Sequence, residues 1–297
     1  KLAGMFGMEA GLFCPSGTMS NQVAIRLHTL PGSEVICDRL SHIYNYEGGG
    51  IAVNSAASVR LLNGDRGRFT AYDVLQHINP DNVHFPRSSL VVVENSCNKG
   101  GGCCWELDEI KKIHAVCREK GLRMHLDGAR IFNALVARNE SAEEYGRLFD
   151  TVSVCLSKGL GAPVGSVLLG SATAMREGRR IRKVLGGGMR QAGFLAAAGI
   201  YALGNHIARL EKDHEHARQV SKTLRQCDYV NNVWEAETNI VLFDLKETCP
   251  VNVFLNKLLE HGIAAVEMGA HTVRMTFHLG ITDEMTDEVC RILQTIK

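Results

Sequence analysis

The chain has 297 residues, of which 45% are hydrophobic and 22% charged, and this composition is typical of a globular protein with a sizeable core. The sequence contains 33 Lys and Arg against 32 Asp and Glu, so the formal net charge of +1 gives no electrostatic case for nucleic acid or a membrane as the main partner. The longest apolar run, residues 194–203, is too short to span a bilayer. The chain opens with Lys1 and shows no signal-peptide pattern, so we expect a trimmed N-terminus.

Ten cysteines would suffice for a disulfide framework, but their spacing argues against one. The sequence has no CxxC pair, and the adjacent Cys103 and Cys104 suit neither a zinc knuckle nor an easy bridge. Cys37, Cys155 and Cys290 lie in apolar runs, where a thiol behaves as a small hydrophobic side chain. We therefore expect reduced thiols, no metal site and a cytoplasmic location.

The first two thirds of the chain alternate short Val/Ile/Leu-rich runs with longer helical patterns, which predicts an α/β domain with a mainly parallel sheet. In chain order, the predicted elements are helix 18–29, strands 34–38 and 90–94, helix 107–120, strands 122–127, 151–155 and 164–170, and helices 172–184 and 189–210. We assign residues 1–210 to this large domain. Glycine clusters at 48–50, 100–102 and 186–188 predict tight loops near a ligand or an interface.

After about Gln226 the rhythm changes, and the pattern predicts a small C-terminal α+β domain over residues 211–297. Its predicted elements are strand 239–245, helix 251–260, strands 264–268 and 273–277, and helix 283–295. The long helix 189–210 is expected to connect the two domains, and its charged continuation at 211–215 is expected to be solvated.

Charged residues follow two of the predicted strands, where ligands bind in open α/β sheets. Asp127 ends the strand in RMHLDGARIF, Arg130 comes three residues later, and Lys158 follows TVSVC. Taken singly, Asp127 is explained as a turn residue and Lys158 as a solvated charge. Together they match the needs of pyridoxal phosphate: a carboxylate keeps the pyridine nitrogen protonated, and an amine binds the aldehyde.

Two further segments supply the remaining parts of such a site. Ser16, Gly17 and Thr18 form a turn directly before a helix, whose free amides and positive dipole end suit a phosphate dianion. His42 follows strand 34–38 and offers a planar ring that can stack on the cofactor. A Ser-Gly-Thr turn alone is usually only an N-cap, and a lone histidine is usually structural. The prediction therefore depends on the joint pattern.

Several segments resemble threonine aldolases of the low-specificity L-threonine type, which belong to the β-eliminating lyase group of pyridoxal phosphate enzymes with the aspartate aminotransferase fold. The resemblance runs from Gly11 to about Leu210 and continues more weakly through HTVRMTFH. In HLDGAR and LSKGL, Asp127 and Lys158 are 31 residues apart, as in this lyase group. The other segments are SHIYNYEGGG, HFPRSSLVVVENSCNKGGG, HLDGARIFNA, SVCLSKGLGAPVGSVLLGS and GGGMRQAGFLAAAGIYAL.

The resemblance implies a role for each matching position. Lys158 would bind the cofactor's aldehyde covalently, Asp127 would face the pyridine nitrogen, and Arg130 would face the ring hydroxyl. His42 would stack on the ring, while Ser16, Gly17 and Thr18 would hold the phosphate. Arg274 in VRMTFH matches an arginine that binds the substrate carboxylate, although a solvated strand charge is the alternative.

Two more positions complete the site that the resemblance implies. Tyr46 matches a substrate-side tyrosine, and Arg190 is a candidate phosphate ligand that reaches across a subunit boundary. The expected assembly is a homodimer or homotetramer with active sites at the subunit interface. The expected reaction is cleavage of the Cα–Cβ bond of threonine, allo-threonine and related β-hydroxy-α-amino acids to glycine and an aldehyde.

Two departures from the family pattern leave other functions open. The family has an opening LRSDT-like segment with a serine for the substrate carboxylate, which this sequence does not include. Cys97 stands where the family has a histidine in an ENTHN-like run, so we expect Cys97 to contact the substrate without replacing an imidazole as proton carrier. His42 or a phosphate-bound water are the alternative bases. The alternative functions are a catalytically impaired cofactor-binding protein and a dehydratase or racemase acting on β-hydroxy amino acids.

Overall fold

The structure is a computed structural model that describes residues 1–296. No helix in this range combines the length and the apolar character that a membrane crossing requires.

The core element is a seven-stranded sheet with the strand order β1-β7-β6-β5-β4-β2-β3. Strands β2 to β6 pair in parallel, whereas β7 pairs antiparallel with both β6 and β1. The predicted mainly parallel α/β sheet is therefore confirmed, with an antiparallel edge. The strands are β1 (Ala10–Cys14), β2 (Ser33–Asp38), β3 (Ser58–Leu62), β4 (Arg87–Glu94), β5 (Arg123–Gly128), β6 (Thr151–Cys155) and β7 (Ser166–Gly170).

The antiparallel edge has a simple cause in chain connectivity. A parallel return needs a crossover, usually a helix, and the connection from Cys155 to Ser166 contains none. The strand therefore turns back beside β6. Strands β2, β5 and β6 are buried along nearly their whole length, as expected for strands covered by helices on both faces.

Helices cover both faces of this sheet, and the longer ones follow the predicted bounds closely. Helices 107–120 and 172–184 are confirmed as predicted, and helix 18–29 is displaced by one residue. The short helices were missed because one or two turns show no measurable periodicity. The helices are α1 (Leu2–Met5), α2 (Gly17–His28), α3 (His42–Asn45), α4 (Gly50–Ser55), α5 (Ala71–His77), α6 (Leu107–Lys120), α7 (Ile131–Arg138), α8 (Ala142–Leu148) and α9 (Ala172–Val184).

The single predicted helix 189–210 is wrong, because this region consists of two helices, α10 (Gly193–Asn205) and α11 (Leu210–Leu224). At the break, the His206 ring lies 2.7 Å from the Leu160 carbonyl oxygen. The expected solvated continuation at 211–215 is wrong at Asp213 and His214, which are buried, whereas Glu215 is exposed. α11 packs against α7, and Asn133 contacts the His214 ring at 3.2 Å.

A second sheet of four antiparallel strands follows, in the order β10-β11-β9-β8. The predicted strands and helices of this region are confirmed, and β8 was missed. The hydrophobic core under this sheet is separate from the core of the large sheet, while the domain division at residue 210 stays a prediction. The elements are β8 (Val230–Val233), β9 (Ile240–Leu245), α12 (Val251–Glu260), β10 (Val266–Glu267), β11 (Thr272–Thr276) and α13 (Asp283–Thr295).

The central strands should dominate stability. Leu90 on β4 is 0% exposed, whereas Leu259 on α12 is 65% exposed. We expect Leu90→Ala to lower the free energy of unfolding by about 2–5 kcal/mol, because it removes buried apolar contacts and leaves a cavity. Leu259→Ala should change it by less than about 0.5 kcal/mol. Urea unfolding followed by circular dichroism measures both, and equal effects of the two variants would contradict this description of the core.

Candidate active site

A cavity of about 160 Å³ lies where the carboxyl ends of β5 and β6 meet the N-terminus of α2 and the loop after β2. Six of the residues predicted to hold the cofactor line this cavity: Ser16, Gly17, Thr18, His42, Asp127 and Lys158. A larger cavity of about 1050 Å³ lies near the amino ends of the strands, and none of the predicted site residues line it. The chemistry predicted from sequence therefore converges on the smaller cavity.

The N-terminus of α2 lies at this cavity, and its free backbone amides can bind an anion. Ser16 is the N-cap of α2, and its hydroxyl oxygen accepts the Met19 backbone N–H at 3.1 Å. A Cβ on Gly17 would lie 2.7 Å from the Cys155 sulfur, so glycine allows α2 to approach the end of β6 this closely. The first amides of α2 therefore face the strand ends, where a phosphate can accept their hydrogen bonds.

Asp127 is a buried carboxylate held by neutral groups. Its Oδ2 accepts the Asn21 amide N–H at 2.9 Å, and its Oδ1 accepts the Ala129 backbone N–H at 3.2 Å. Within residues 1–296, no Lys, Arg or His nitrogen lies within ion-pair distance of Asp127. A buried carboxylate without a cation is costly. The protonated pyridine nitrogen of the cofactor would supply the missing charge, so the site fits pyridoxal phosphate at this point.

His125 and Asn21 orient Asp127, and both were missed by sequence reasoning. Burial lowers the pKa of His125 to about 4, so its ring is neutral at pH 7. The His125 Nε2–H donates to Asn21 Oδ1 at 3.1 Å, which turns the Asn21 NH2 group toward Asp127. His125 precedes Asp127 by two residues on β5 and so lies on the same face. That spacing was an available signal.

Two arginines from different parts of the fold donate hydrogen bonds to the same amide oxygen. Arg130, at the start of α7, and Arg274, on β11, both donate to Asn98 Oδ1, at 3.3 and 2.8 Å. Among the described residues neither has a carboxylate within ion-pair distance, and each leaves its Nε without a hydrogen-bond partner. Burial lowers the pKa of both guanidinium groups. Such a pair suits a bidentate anion such as a carboxylate. Asn98 was missed, although it directly precedes the glycine cluster at 100–102.

His42 lines the cavity, and the Tyr46 ring lies beside the His42 ring. Their ring centroids are 5.6 Å apart with planes tilted by 44°. Tyr46 is 47% exposed, and the Lys99 ammonium lies 5.5 Å from its ring centroid. The predicted stacking residue and the predicted substrate-side tyrosine are therefore neighbours in the fold.

Cys97 and Arg190 are not brought to the cavity. Cys97 is buried, its thiol donates to the Glu94 carbonyl at 3.0 Å, and its backbone bridges to Cys103. The hydrogen bond with Cys103 and burial raise the pKa of the Cys97 thiol well above its ordinary value. Cys97 does not line the cavity and its thiol faces the protein interior, so its contact with the substrate stays a prediction that this geometry does not support. Arg190 is exposed on the segment before α10, away from the cavity of its own chain.

Known proteins give independent evidence on the family. A family model described as beta-eliminating lyase matches residues 1–248. A low-specificity L-threonine aldolase of Escherichia coli K12 is 36% identical over 288 residues, covering 97% of this chain and 84% of the relative. The corresponding aldolase of Candida albicans is 35% identical over 294 residues, covering 97% and 77%.

Solved structures agree on the fold. A threonine aldolase from Leishmania major superposes with a TM-score of 0.86 at 20% identity, covering 99% of this chain and 86% of that one. A serine palmitoyltransferase from Sphingomonas wittichii gives a TM-score of 0.75 at 16% identity, covering 99% and 73%. The predicted fold is confirmed, and the chain belongs to the beta-eliminating lyase family and, within it, to the low-specificity L-threonine aldolases.

Proposed function

We propose that this chain is a pyridoxal phosphate-dependent lyase that cleaves threonine, allo-threonine and related β-hydroxy-α-amino acids to glycine and an aldehyde. The observation that carries the proposal is one cavity lined by Lys158, by the uncompensated Asp127 and by the N-terminus of α2. An amine, a buried carboxylate and an anion-binding helix end are the groups that this cofactor needs. The family membership of the chain supports the same reaction.

Each residue of the cavity has a defined task toward the cofactor. Lys158 would bind it covalently, Asp127 would hold its ring nitrogen protonated, and Ser16 with the first amides of α2 would bind its phosphate. When bound, the cofactor supplies an electron sink for the charge that develops on Cα. His42 lies beside the same cavity and would cover the ring face.

The substrate carboxylate would be held by Arg130 together with Arg274. Both guanidinium groups contact Asn98 Oδ1 and have no carboxylate partner, which supports an anion as their shared ligand. Arg130 does not line the cofactor cavity, so the carboxylate is the better assignment than the cofactor's ring hydroxyl. Fixing the carboxylate determines which bond to Cα is aligned with the cofactor, and this alignment selects Cα–Cβ cleavage.

Replacement of Lys158 tests the cofactor assignment. Lys158→Ala should lose the visible absorption band that borohydride abolishes, and aldehyde release from threonine should fall to background. Lys111→Ala changes a half-exposed lysine on α6 and should retain both the band and the activity. Absorption spectra and mass spectrometry of the borohydride-treated protein provide the readout. A borohydride-stable adduct in Lys158→Ala would show that another amine binds the cofactor.

Replacement of Arg274 tests the carboxylate site. Arg274→Ala should lower kcat/KM for threonine by about 30-fold or more, because loss of one partner of a buried charge pair costs about 2–5 kcal/mol. Arg274→Lys should recover only part of the loss, because an ammonium lacks the bidentate fork. The exposed Arg225→Ala is the control. Inhibition by an amino alcohol that lacks the carboxylate should be nearly equal in all variants, and a matching loss there would contradict this role.

The proposed subunit assembly is supported by the exposed apolar side chains of α10. Phe194, Ile200 and Tyr201 are 88%, 56% and 63% exposed on this apolar helix. We propose that the helix packs against a second copy of the chain in a homodimer or homotetramer, which would bring Arg190 to the neighbouring active site. All ten cysteines are free thiols, which supports the proposed cytoplasmic location.

A charge on this helix should weaken the assembly. Phe194→Asp should lower the mass measured by light scattering, because a buried interfacial charge without a partner is strongly unfavourable. Val83→Asp is the control. Val83 is 98% exposed in a loop distant in sequence from α10, so this variant should leave the mass unchanged. An unchanged mass for Phe194→Asp would place the subunit interface elsewhere.

A further inference from the structure

We propose that Glu47 is the positioning residue of His42, and that this pair carries the β-hydroxyl proton of the substrate. This inference rests on the proposed function and goes further, because it chooses His42 over a phosphate-bound water as the base and names the carboxylate that positions its ring. Cys97 has its thiol turned to the Glu94 carbonyl, away from the cavity.

The Glu47 carboxylate lies in the link between α3 and α4, and its side chain is 0% exposed. Its Oε1 accepts hydrogen bonds from the His42 Nδ1 and the Asn21 amide, both at 2.9 Å. Its Oε2 accepts from the Gln22 amide at 2.7 Å. Within the described part of the chain, His42 is the only basic side chain within ion-pair distance of Glu47. Glu47 is therefore a buried acceptor whose one possible counter-charge is the His42 ring.

This contact determines which nitrogen of His42 can take a proton. A carboxylate only accepts, so the hydrogen bond requires the proton on Nδ1. The neutral ring then leaves Nε2 as a free acceptor beside the cavity that Lys158 and Asp127 also line. One ligand atom from each of His42, Glu47 and Asp127 lies within 4.8 Å of the other two. The His42 ring is thus held next to the residue proposed to bind the cofactor ring.

The side chains of Asn21 and Gln22 hold the Glu47 carboxylate in place. The Asn21 NH2 group donates to Glu47 and to Asp127, so one side chain sets both carboxylates. On the other side, Gln22 contacts Glu47, and its Oε1 accepts from Asn54 at 3.1 Å. A Cβ on Gly50 would lie 2.6 Å from the Gln22 side chain, so glycine is required for this close packing. Such support is what a positioning residue needs.

The charges around His42 favour a proton-accepting ring. Glu47, Asp127 on β5 and Glu94 at the end of β4 raise the pKa of His42, the Glu47 hydrogen bond most strongly, while burial lowers it. Glu94 accepts the His42 backbone N–H at 2.7 Å, and burial raises the pKa of Glu94 to about 7. Lys158 is the positive group lining the same cavity. A ring with a raised pKa is a stronger proton acceptor, and the carboxylates around it stabilise its imidazolium form.

The proton and electrons balance without another reactant. The β-hydroxyl gives its proton to His42 Nε2 as the Cα–Cβ bond breaks, and the O–H electron pair forms the aldehyde C=O bond. The electron pair of the broken bond goes to Cα, which later takes one proton to give glycine. His42, now an imidazolium, is stabilised by the Glu47 carboxylate until it returns its proton to water.

Glu47→Gln tests this pair with Glu34→Gln as matched control, since Glu34 is also buried but lies away from the cavity beside Arg60 and Asn79. We expect Glu47→Gln to lower kcat for threonine cleavage by about 10- to 100-fold, less than the 10²–10⁴ that a general base supplies, because His42 itself remains. The acidic limb of its pH–kcat/KM profile should move to lower pH, because the pKa of His42 falls without the carboxylate. Glu47→Asp should restore part of the rate, and Glu34→Gln should keep the wild-type profile.

A second reaction separates positioning from folding. Exchange of the glycine Cα proton with solvent uses the same cofactor and carboxylate site but involves no β-hydroxyl. Glu47→Gln should keep this exchange within about twofold of wild type, together with the visible cofactor band. An unchanged pH profile, or an equal loss of exchange and cleavage, would overturn the role of Glu47. Absence of aldehyde release from the unaltered chain would overturn the proposed function and this inference together.

Discussion

The site depends on one side-chain amide between two buried carboxylates. Asn21 donates to Asp127 and to Glu47 at 2.9 Å each, and its oxygen is fixed by the neutral His125. Two buried carboxylates this close repel each other, and neither has a Lys or Arg partner in the described structure. Positive charge would stabilise this arrangement, and a protonated cofactor ring facing Asp127 and a proton on His42 facing Glu47 would supply it. The proposed cofactor site and the proposed proton carrier therefore share one hydrogen-bond network.

A second constraint joins the two sheets. Arg130 belongs to the large sheet's helices and Arg274 to the small sheet, yet both reach the Asn98 oxygen. Two half-buried cations that share a neutral acceptor can take an anion as their common partner. A substrate carboxylate would meet it and would also bridge the two parts of the fold. Binding and domain arrangement are thus linked through the same pair of side chains.

Sequence reasoning recovered the parts of the fold with strong local signals. The buried strands β2, β4, β5 and β6 and helices α6 and α9 follow hydrophobic patterns that can be read locally. It failed at residues 189–210, where α10 and α11 are separated by a turn in which the His206 ring contacts the carbonyl oxygen of Leu160, a residue distant in sequence. It identified β7 as a strand but not its antiparallel direction, because strand direction depends on how the connection runs rather than on composition. Short helices such as α3 and α4 had too few residues to show a period.

The site residues fall into the same two groups: some were assigned from the sequence, and others were recognised only in the structure. Ser16, Gly17, Thr18, Asp127 and Lys158 were assigned from the sequence alone, since strand ends and helix starts are readable and each chemistry demands a particular residue type. The orientation of Cys97, the pairing of Arg130 with Arg274 on Asn98, and the roles of Asn21 and Glu47 emerged only in the folded chain. Side-chain direction and charge compensation depend on neighbours that are distant in sequence. The sequence by itself therefore determined the cofactor and the class of chemistry, and the tertiary structure decided which side chains lie together as candidates to hold the carboxylate and to carry the proton.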